Sequence, residues 1–228
     1  MTTDPIFFNK PVYLLVEGND EKMLLEYLCK HLQKQDASQW SGIDNIQIEV
    51  AGGVTQISEA LSALGLASNF SEVRVLGIIR DAENDPDQAR TIIQDALRKN
   101  RLAVPEESFI PAKGTPHILM LIIPPDKPGM LEDLCLLSIR DSPIMPCIDS
   151  FFTCVEENQK TAGDNKNKPN NMKKAKVHAF LSTRPDPQVA LGGGAQRGYW
   201  DLDSPAFTLL RDFLSQIIVL INNNYKIE

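Results

Sequence analysis

The sequence predicts an α/β protein: a parallel sheet of about four strands flanked by helices, with a C-terminal helical extension. Three observations predict it. Four short apolar runs recur in the first two-thirds of the 228 residues, each short enough for a strand buried on both faces. Between them lie amphipathic stretches long enough to carry a crossover helix. The composition, 43% apolar and 23% charged, is that of a globular chain with a core of its own.

Val12 to Val16 is the first apolar run and ends at Glu17-Gly18. Asp20 to Gln33 follows, with Met23, Leu24, Tyr27, Leu28 and Leu32 on one helical stripe and Asn19 or Asp20 as N-cap. Ile46 to Val50 alternates and stops at Gly52-Gly53, a strand and a tight turn. Gln56 to Leu66 carries Ile57, Ala60, Leu61 and Leu64 at helical spacing. Val73 to Ile79 is the third strand and runs into Arg80-Asp81-Ala82-Glu83. Asp87 to Lys99 is amphipathic, Ile118 to Ile123 is the fourth strand, and Leu131 to Ile139 is a short helix. Strands joined this way form parallel pairs with right-handed crossovers.

The α/β part is expected over residues 1–142 and the helical extension over 143–228. Within the extension, residues 156–174 are polar and rich in Asn and Lys, which predicts a mobile loop. A helix from Lys173 to Thr183, a flexible turn at Gly192-Gly193-Gly194 and a terminal helix from Ser204 to Ile221 complete the chain.

Charge and cysteines narrow the class. The formal net charge is 23 − 30 = −7, which argues against gripping nucleic acid by bulk positive charge. Four cysteines without a CxxC pair, and only three histidines, predict reduced thiols and no zinc site. No apolar run approaches the roughly 20 residues of a membrane span, and residues 1–9 carry no secretory signal pattern. The expectation is a cytoplasmic protein without a membrane partner.

Ligands of parallel sheets sit at the carboxyl ends of the strands, and acids collect there. Glu17 ends the first strand, Asp81 and Glu83 follow the third, Glu21 lies four residues after Glu17, and Glu132 follows the fourth strand. Acids in these places also serve as helix caps, which accounts for Asp20, Asp85 and Asp87. Converging carboxylates repel unless a cation sits among them, and an all-oxygen set selects Mg²⁺ or Mn²⁺. A pair of such metal ions is the usual machinery for cleaving phosphodiesters.

The order Val16-Glu17-Gly18-Asn19-Asp20-Glu21, Gly52-Gly53, Asp81-Ala82-Glu83 resembles the Toprim domain over roughly residues 10 to 140. That domain occurs in topoisomerases, primases, small nucleases and the nuclease half of OLD (overcoming lysogenisation defect) proteins. Pro128 to Leu134, Lys176 to Leu181 and Gly198 to Asp201 look like segments of small standalone Toprim-related proteins. The resemblance implies Glu17 as metal ligand or general acid/base. It implies Asp81 and Glu83 as the DxD pair, and Glu21 and Glu132 as further ligands. It also implies a lysine for the phosphate, which falls on Lys176 with Lys173 and Lys174 as rivals. Nucleic acid (DNA or RNA), a partner ATPase and a homodimer are the partners it suggests. Glu83 departs from the pattern: its extra methylene moves the carboxylate by about 1.5 Å, with Asp85 as the compensating acid.

The expectation is thus a Mg²⁺-dependent, nuclease-like phosphodiester-cleaving protein. The competing readings are a non-catalytic metal-binding scaffold or interaction protein, and a phosphoacceptor domain with Asp81 as acceptor. The Gly52-Gly53 turn and the lack of a strand-end hydroxyl and lysine pair speak against the last. The glycine run lacks the lysine and hydroxyl of a phosphate loop, His117 and His178 have no evident partner, and Tyr199 and Trp200 read as packing residues.

Overall fold

The computed structural model describes residues 9–53, 56–67, 69–163 and 166–224. The first eight residues, part of the stretch read for a targeting signal, lie outside it. The chain runs β1 (Val12–Val16), α1 (Asn19–Gln35), β2 (Ile46–Val50), α2 (Ile57–Leu66), β3 (Val75–Asp81), α3 (Pro86–Lys99), β4 (His117–Ile123) and α4 (Leu131–Ser138). Then follow α5 (Met145–Ala162), α6 (Met172–Ser182), α7 (Leu191–Gln196) and α8 (Thr208–Asn224).

The four strands form one sheet in the order β2-β1-β3-β4, and every pair is parallel. Val12 pairs with both Ile46 and Val75, and β3 pairs with β4 from Val75–His117 to Asp81–Ile123. Side chains alternate between faces along a strand, so each face has its own core. Val12, Leu14, Val16, Val75 and Ile79 pack with α1 and the C-terminal helices. Tyr13, Leu15, Leu76 and Ile78 pack with α2 and α3. The helix after β1 thus covers one face and the helices after β2 and β3 cover the other. The chain steps from β1 to β2 on one side and returns to β3 on the other. This reversal opens a crevice at the carboxyl ends of β1 and β3.

Several expectations change. The third strand reaches Asp81 rather than stopping at Ile79, because pairing with β4 continues to Ile123. The predicted loop at 156–174 is helical as far as Ala162 and again from Met172. Met145, Ile148 and Phe152 anchor α5 on the core, and its polar second half is a solvated helix face. The glycine run is not a turn. It is the buried helix α7, and its lack of side chains lets it lie against α1: a Cβ at Gly192 would meet the Asp20 carbonyl oxygen at 2.6 Å. The N-cap of α1 is Gly18, and the Asp20 carboxylate instead accepts from Gly192 N–H at 2.8 Å.

The 18 residues Pro205–Asn222 have a mean hydropathy of 1.2, enough by length and composition to cross a membrane. No single apolar run had suggested this. In the fold they form a core helix, with Phe213, Leu214 and Ile217 fully buried.

Candidate functional site

Glu17 is the first residue beyond β1, and Arg80 and Asp81 are the last two of β3. The two strands are neighbours, so these residues meet at the crevice. Glu17 continues the alternation of Tyr13 and Leu15, and Arg80 that of Leu76 and Ile78, so both belong to the α2/α3 face. Asp81 continues the alternation of Val75 and Ile79, on the opposite face.

Arg80 Nε lies 3.1 Å from Glu17 Oε1, with side-chain exposures of 5% and 13%. The contact is an ion pair without hydrogen-bond alignment, since neither atom has a hydrogen-bond partner among the described residues. Burial raises the Glu17 carboxyl to about 7, against the opposing pull of Arg80 and with reinforcement from Glu21 and Glu83.

Asp81 is buried at 7% exposure. Its Oδ1 accepts from Leu131 N–H at 3.0 Å, at the opening of α4, where unpaired helical amides favour an anion. Burial nevertheless pushes its carboxyl well up, and the charges of Glu21, Glu132 and Glu17 push it further. Burial also raises Glu21, which is brought in by the first turn of α1 and accepts from its own and the Gly18 amide. Its Oε2 lies over Gly18, where a Cβ would meet it at 2.9 Å. Glu132, from the first turn of α4, is raised by burial and held down by its own backbone amide and then by Lys174. Beneath the acids Cys135 is fully buried, and burial pushes its thiol well up, so it stays protonated.

Glu83 has a left-handed backbone with φ of 52°. This is costly for a residue with a side chain and persists only where the surroundings impose it. Here two backbone hydrogen bonds with Gly129, at 2.8 and 2.9 Å, impose it. Gly129 has no room for a side chain, since a Cβ would meet Pro124 Cδ at 2.6 Å. Asp85 does not stand in for Glu83: its carboxylate caps α3 by accepting from Asp87 and Gln88 N–H.

The lysine at the acids is Lys174, with Nζ 3.8 Å from Glu132 Oε1. Its charge also acts on Glu17 and Glu21. Asn171, which caps α6 by accepting from Lys173 and Lys174 N–H, sets that turn. Lys173 pairs with Asp133 at 2.6 Å, and Lys176 turns to Asp149 of α5, also at 2.6 Å. Lys176, the lysine expected from the sequence, is therefore bound elsewhere.

Sequence reasoning missed Arg80 altogether. Its signal was available: a lone arginine ending a strand as apolar as Val75 to Ile79.

Chemically the acids fit a hard divalent cation, because the donors are all oxygen and, among the described residues, their buried charge is offset by the cations Arg80 and Lys174 and by a few backbone amides. Among the described residues, however, no three His, Cys, Asp or Glu side chains are grouped closely enough to hold an ion as they stand. Glu17 is drawn to Arg80, Glu132 towards Lys174, and Asp81 onto the Leu131 amide. An ion among them requires at least one carboxylate to turn from its present partner.

Residues 11–219 match the family described as "Protein of unknown function (DUF3226)". The chain belongs to the DUF3226 family. No curated protein matches it. Among solved structures it is similar to the C-terminal region of the Xanthomonas campestris pv. campestris OLD protein. That match has a TM-score of 0.52 at 13% identity and covers 97% of this chain and 99% of that one. It is also similar to the C-terminal region of the Burkholderia pseudomallei OLD protein. There the TM-score is 0.50 at 13% identity, with 92% and 98% covered. This DUF3226 chain therefore shares their fold: a four-stranded parallel sheet flanked by helices, closed by a C-terminal helix.

Proposed function

We propose that this DUF3226 protein is a Toprim-type, Mg²⁺- or Mn²⁺-dependent phosphodiester-cleaving protein acting on DNA or RNA. One observation carries the reading. Glu17 and Asp81 end adjacent parallel strands at the sheet's reversal point, and Glu21 and Glu132 are brought to them from α1 and α4. The fold shared with the OLD C-terminal regions supports it.

Asp81, Glu21 and Glu132 would hold the ion. Bound there, a divalent ion supplies charge stabilisation to a phosphoryl oxygen. Glu17, with its carboxyl near 7, is suited to take a proton from an attacking water at neutral pH. Lys174 can donate to a non-bridging phosphate oxygen by leaving Glu132, to which it is only loosely paired at 3.8 Å. The net charge of −7 leaves the wider grip on nucleic acid to a partner, for which an ATPase is our proposal.

The test incubates the full chain and Mn²⁺ with plasmid DNA, linear DNA and RNA over pH 5.5 to 9. Cleavage is expected to rise as Glu17 ionises around pH 7. Glu17→Gln is expected to lower it by about a hundredfold or more, and Asp81→Asn to abolish it. No cleavage of any substrate by the wild type, or cleavage unchanged in Asp81→Asn, would sink the reading. The internal pairing of the carboxylates favours a second reading, a scaffold that binds metal without turnover. Saturable Mn²⁺ binding with no cleavage would establish that one instead.

A further inference from the structure

We propose that the hairpin joining α5 to α6 is a nucleic-acid-binding arm, whose exposed lysines Lys160, Lys166 and Lys168 hold the phosphate backbone beside the acidic crevice. The inference rests on the phosphodiester-cleaving reading above and deepens it, by naming how the chain itself grips that substrate.

The net charge conceals an asymmetry. Residues 158–176 carry six lysines and one aspartate, a charge of 6 − 1 = +5. The rest of the chain carries −7 − 5 = −12. Three of the lysines are held inside the fold: Lys173 by Asp133, Lys174 by Glu132 and Lys176 by Asp149. Lys160, Lys166 and Lys168 are exposed. Among the described residues none of the three pairs with a carboxylate. Lys160, in the last turn of α5, also suits the negative end of that helix. That account does not extend to Lys166 and Lys168, which lie outside the helices.

Position gives this charge its partner. α5 and α6 run antiparallel: Asp149 meets Lys176, and nearer the tip Gln159 donates to the Asn167 carbonyl at 3.0 Å. α6 begins at the crevice, where Lys173 and Lys174 reach the first turn of α4 and the Asn171 amide reaches Met130. The tip is therefore on the crevice side. At 1.5 Å per residue, the 11 residues from Asp149 to Lys160 outreach the four from Lys176 to Met172 by about 10 Å. At about 3.4 Å per phosphate, a strand with one phosphate at Lys174 would meet the tip about three phosphates further on.

The chemistry of the arm fits a phosphate backbone. Residues 156–171 hold no apolar side chain larger than those of Ala162 and Pro169. They lack the aromatic and aliphatic anchors that fix a protein partner or dip into a membrane. They offer ammonium and amide donors, the groups that contact phosphate and sugar without reading bases. The acids of the crevice repel a polyanion, and a positive arm beside them offsets that repulsion where the substrate approaches.

The test measures binding of the full chain, in EDTA, to a fluorescein-labelled DNA duplex and to the same sequence as single-stranded RNA, over a range of salt. Wild type is compared with Lys160→Gln/Lys166→Gln/Lys168→Gln. The control, Lys34→Gln/Lys99→Gln/Lys113→Gln, removes the same charge elsewhere. All six lysines are exposed, so neither variant disturbs the core. Wild type is expected to bind with log Kd linear in log salt. The arm variant is expected to lose about tenfold or more in affinity, and its duplex salt slope to fall by about two to three, close to one per lysine. The control is expected to stay within about threefold of wild type, since charges beyond a screening length of about 10 Å act weakly. No binding to either nucleic acid, or equal losses in the two variants, would overturn the inference. So would wild-type binding to phosphatidylserine vesicles alone. Cleavage in Mn²⁺ at subsaturating substrate separates this inference from the reading beneath it. Cleavage undiminished in the arm variant would overturn the arm and leave the nuclease reading standing. Arm-dependent binding by a chain that cleaves nothing would keep the arm while that reading fell.

Discussion

Asp81 and Glu17 illustrate how a fold can hold charges that oppose its own stability. Each carboxyl titrates higher in the folded chain than in an unfolded one, so the folded state keeps its proton longer. The contribution to stability is then most favourable at acid pH. For Glu17 it is lost as pH rises from about 4.5, the ordinary value, through about 7. Asp81→Asn removes a buried charge and keeps an acceptor for the Leu131 amide. Its Tm at pH 8 is therefore expected to exceed that of wild type by about 2–4 °C, the shift that about 1 kcal/mol produces in a chain of this size. At pH 4 the difference should shrink. A thermal scan at the two pH values checks this. A variant less stable than wild type at pH 8 would mean that the carboxylate is not under the strain its surroundings imply.

At the scale of elements, α7 shows how composition can mislead. Three successive glycines are poor helix formers, yet they form a helix because tertiary contact outweighs propensity. Gly192 meets the α1 backbone, and a Cβ at Gly194 would meet Trp200 Nε1 at 2.7 Å. Trp200 donates its indole N–H to the Leu191 carbonyl and stacks on Phe180, tying α7 to α6. Gly192→Ala places a methyl against the Asp20 carbonyl and Met23 Cβ. It is expected to cost about 1–3 kcal/mol, read from urea denaturation. Because Asp20 and Glu21 share the first turn of α1, that backbone contact also steadies one wall of the acidic crevice. α5 is the converse case. Its polar half, Glu156 to Lys160, lacks an apolar stripe because that part of the helix meets solvent.

At the scale of the molecule, the C-terminal helices and the sheet share one core. Phe213 and Ile217 of α8 close over Gly77 in the middle of β3: a Cβ there would lie 3.5 Å from each and 2.7 Å from Leu14. Phe213→Ala is expected to cost about 3–5 kcal/mol while unfolding remains a single transition. Trp40 and Trp200 belong to that same core, so their fluorescence and backbone circular dichroism should lose structure together. Two separated transitions would instead make the helical extension an independent unit. The two-faced core also fixes the reversal point, since the helices leaving β1 and β3 depart to opposite faces of the sheet.

Periodicity alone determined the strands, their parallel pairing, most of the helices and the end of the sheet where the acids lie. These follow from short-range regularities: which residues are apolar, at what spacing, and what interrupts them. Asp81, Glu21, Glu132 and Glu17 were legible as a group because each stands beside an element boundary visible in the chain. Tertiary structure alone decided their partners. Arg80 became the counter-charge of Glu17 because β1 and β3 are neighbours in register. Lys174 rather than Lys176 reached the acids because Asn171 sets the start of α6, and on a helix two residues is more than half a turn. The glycine run became a helix because α1 lay close enough to fill the space of its missing side chains. Such contacts join residues up to 172 positions apart, as Asp20 and Gly192 are, and local pattern carries no record of them.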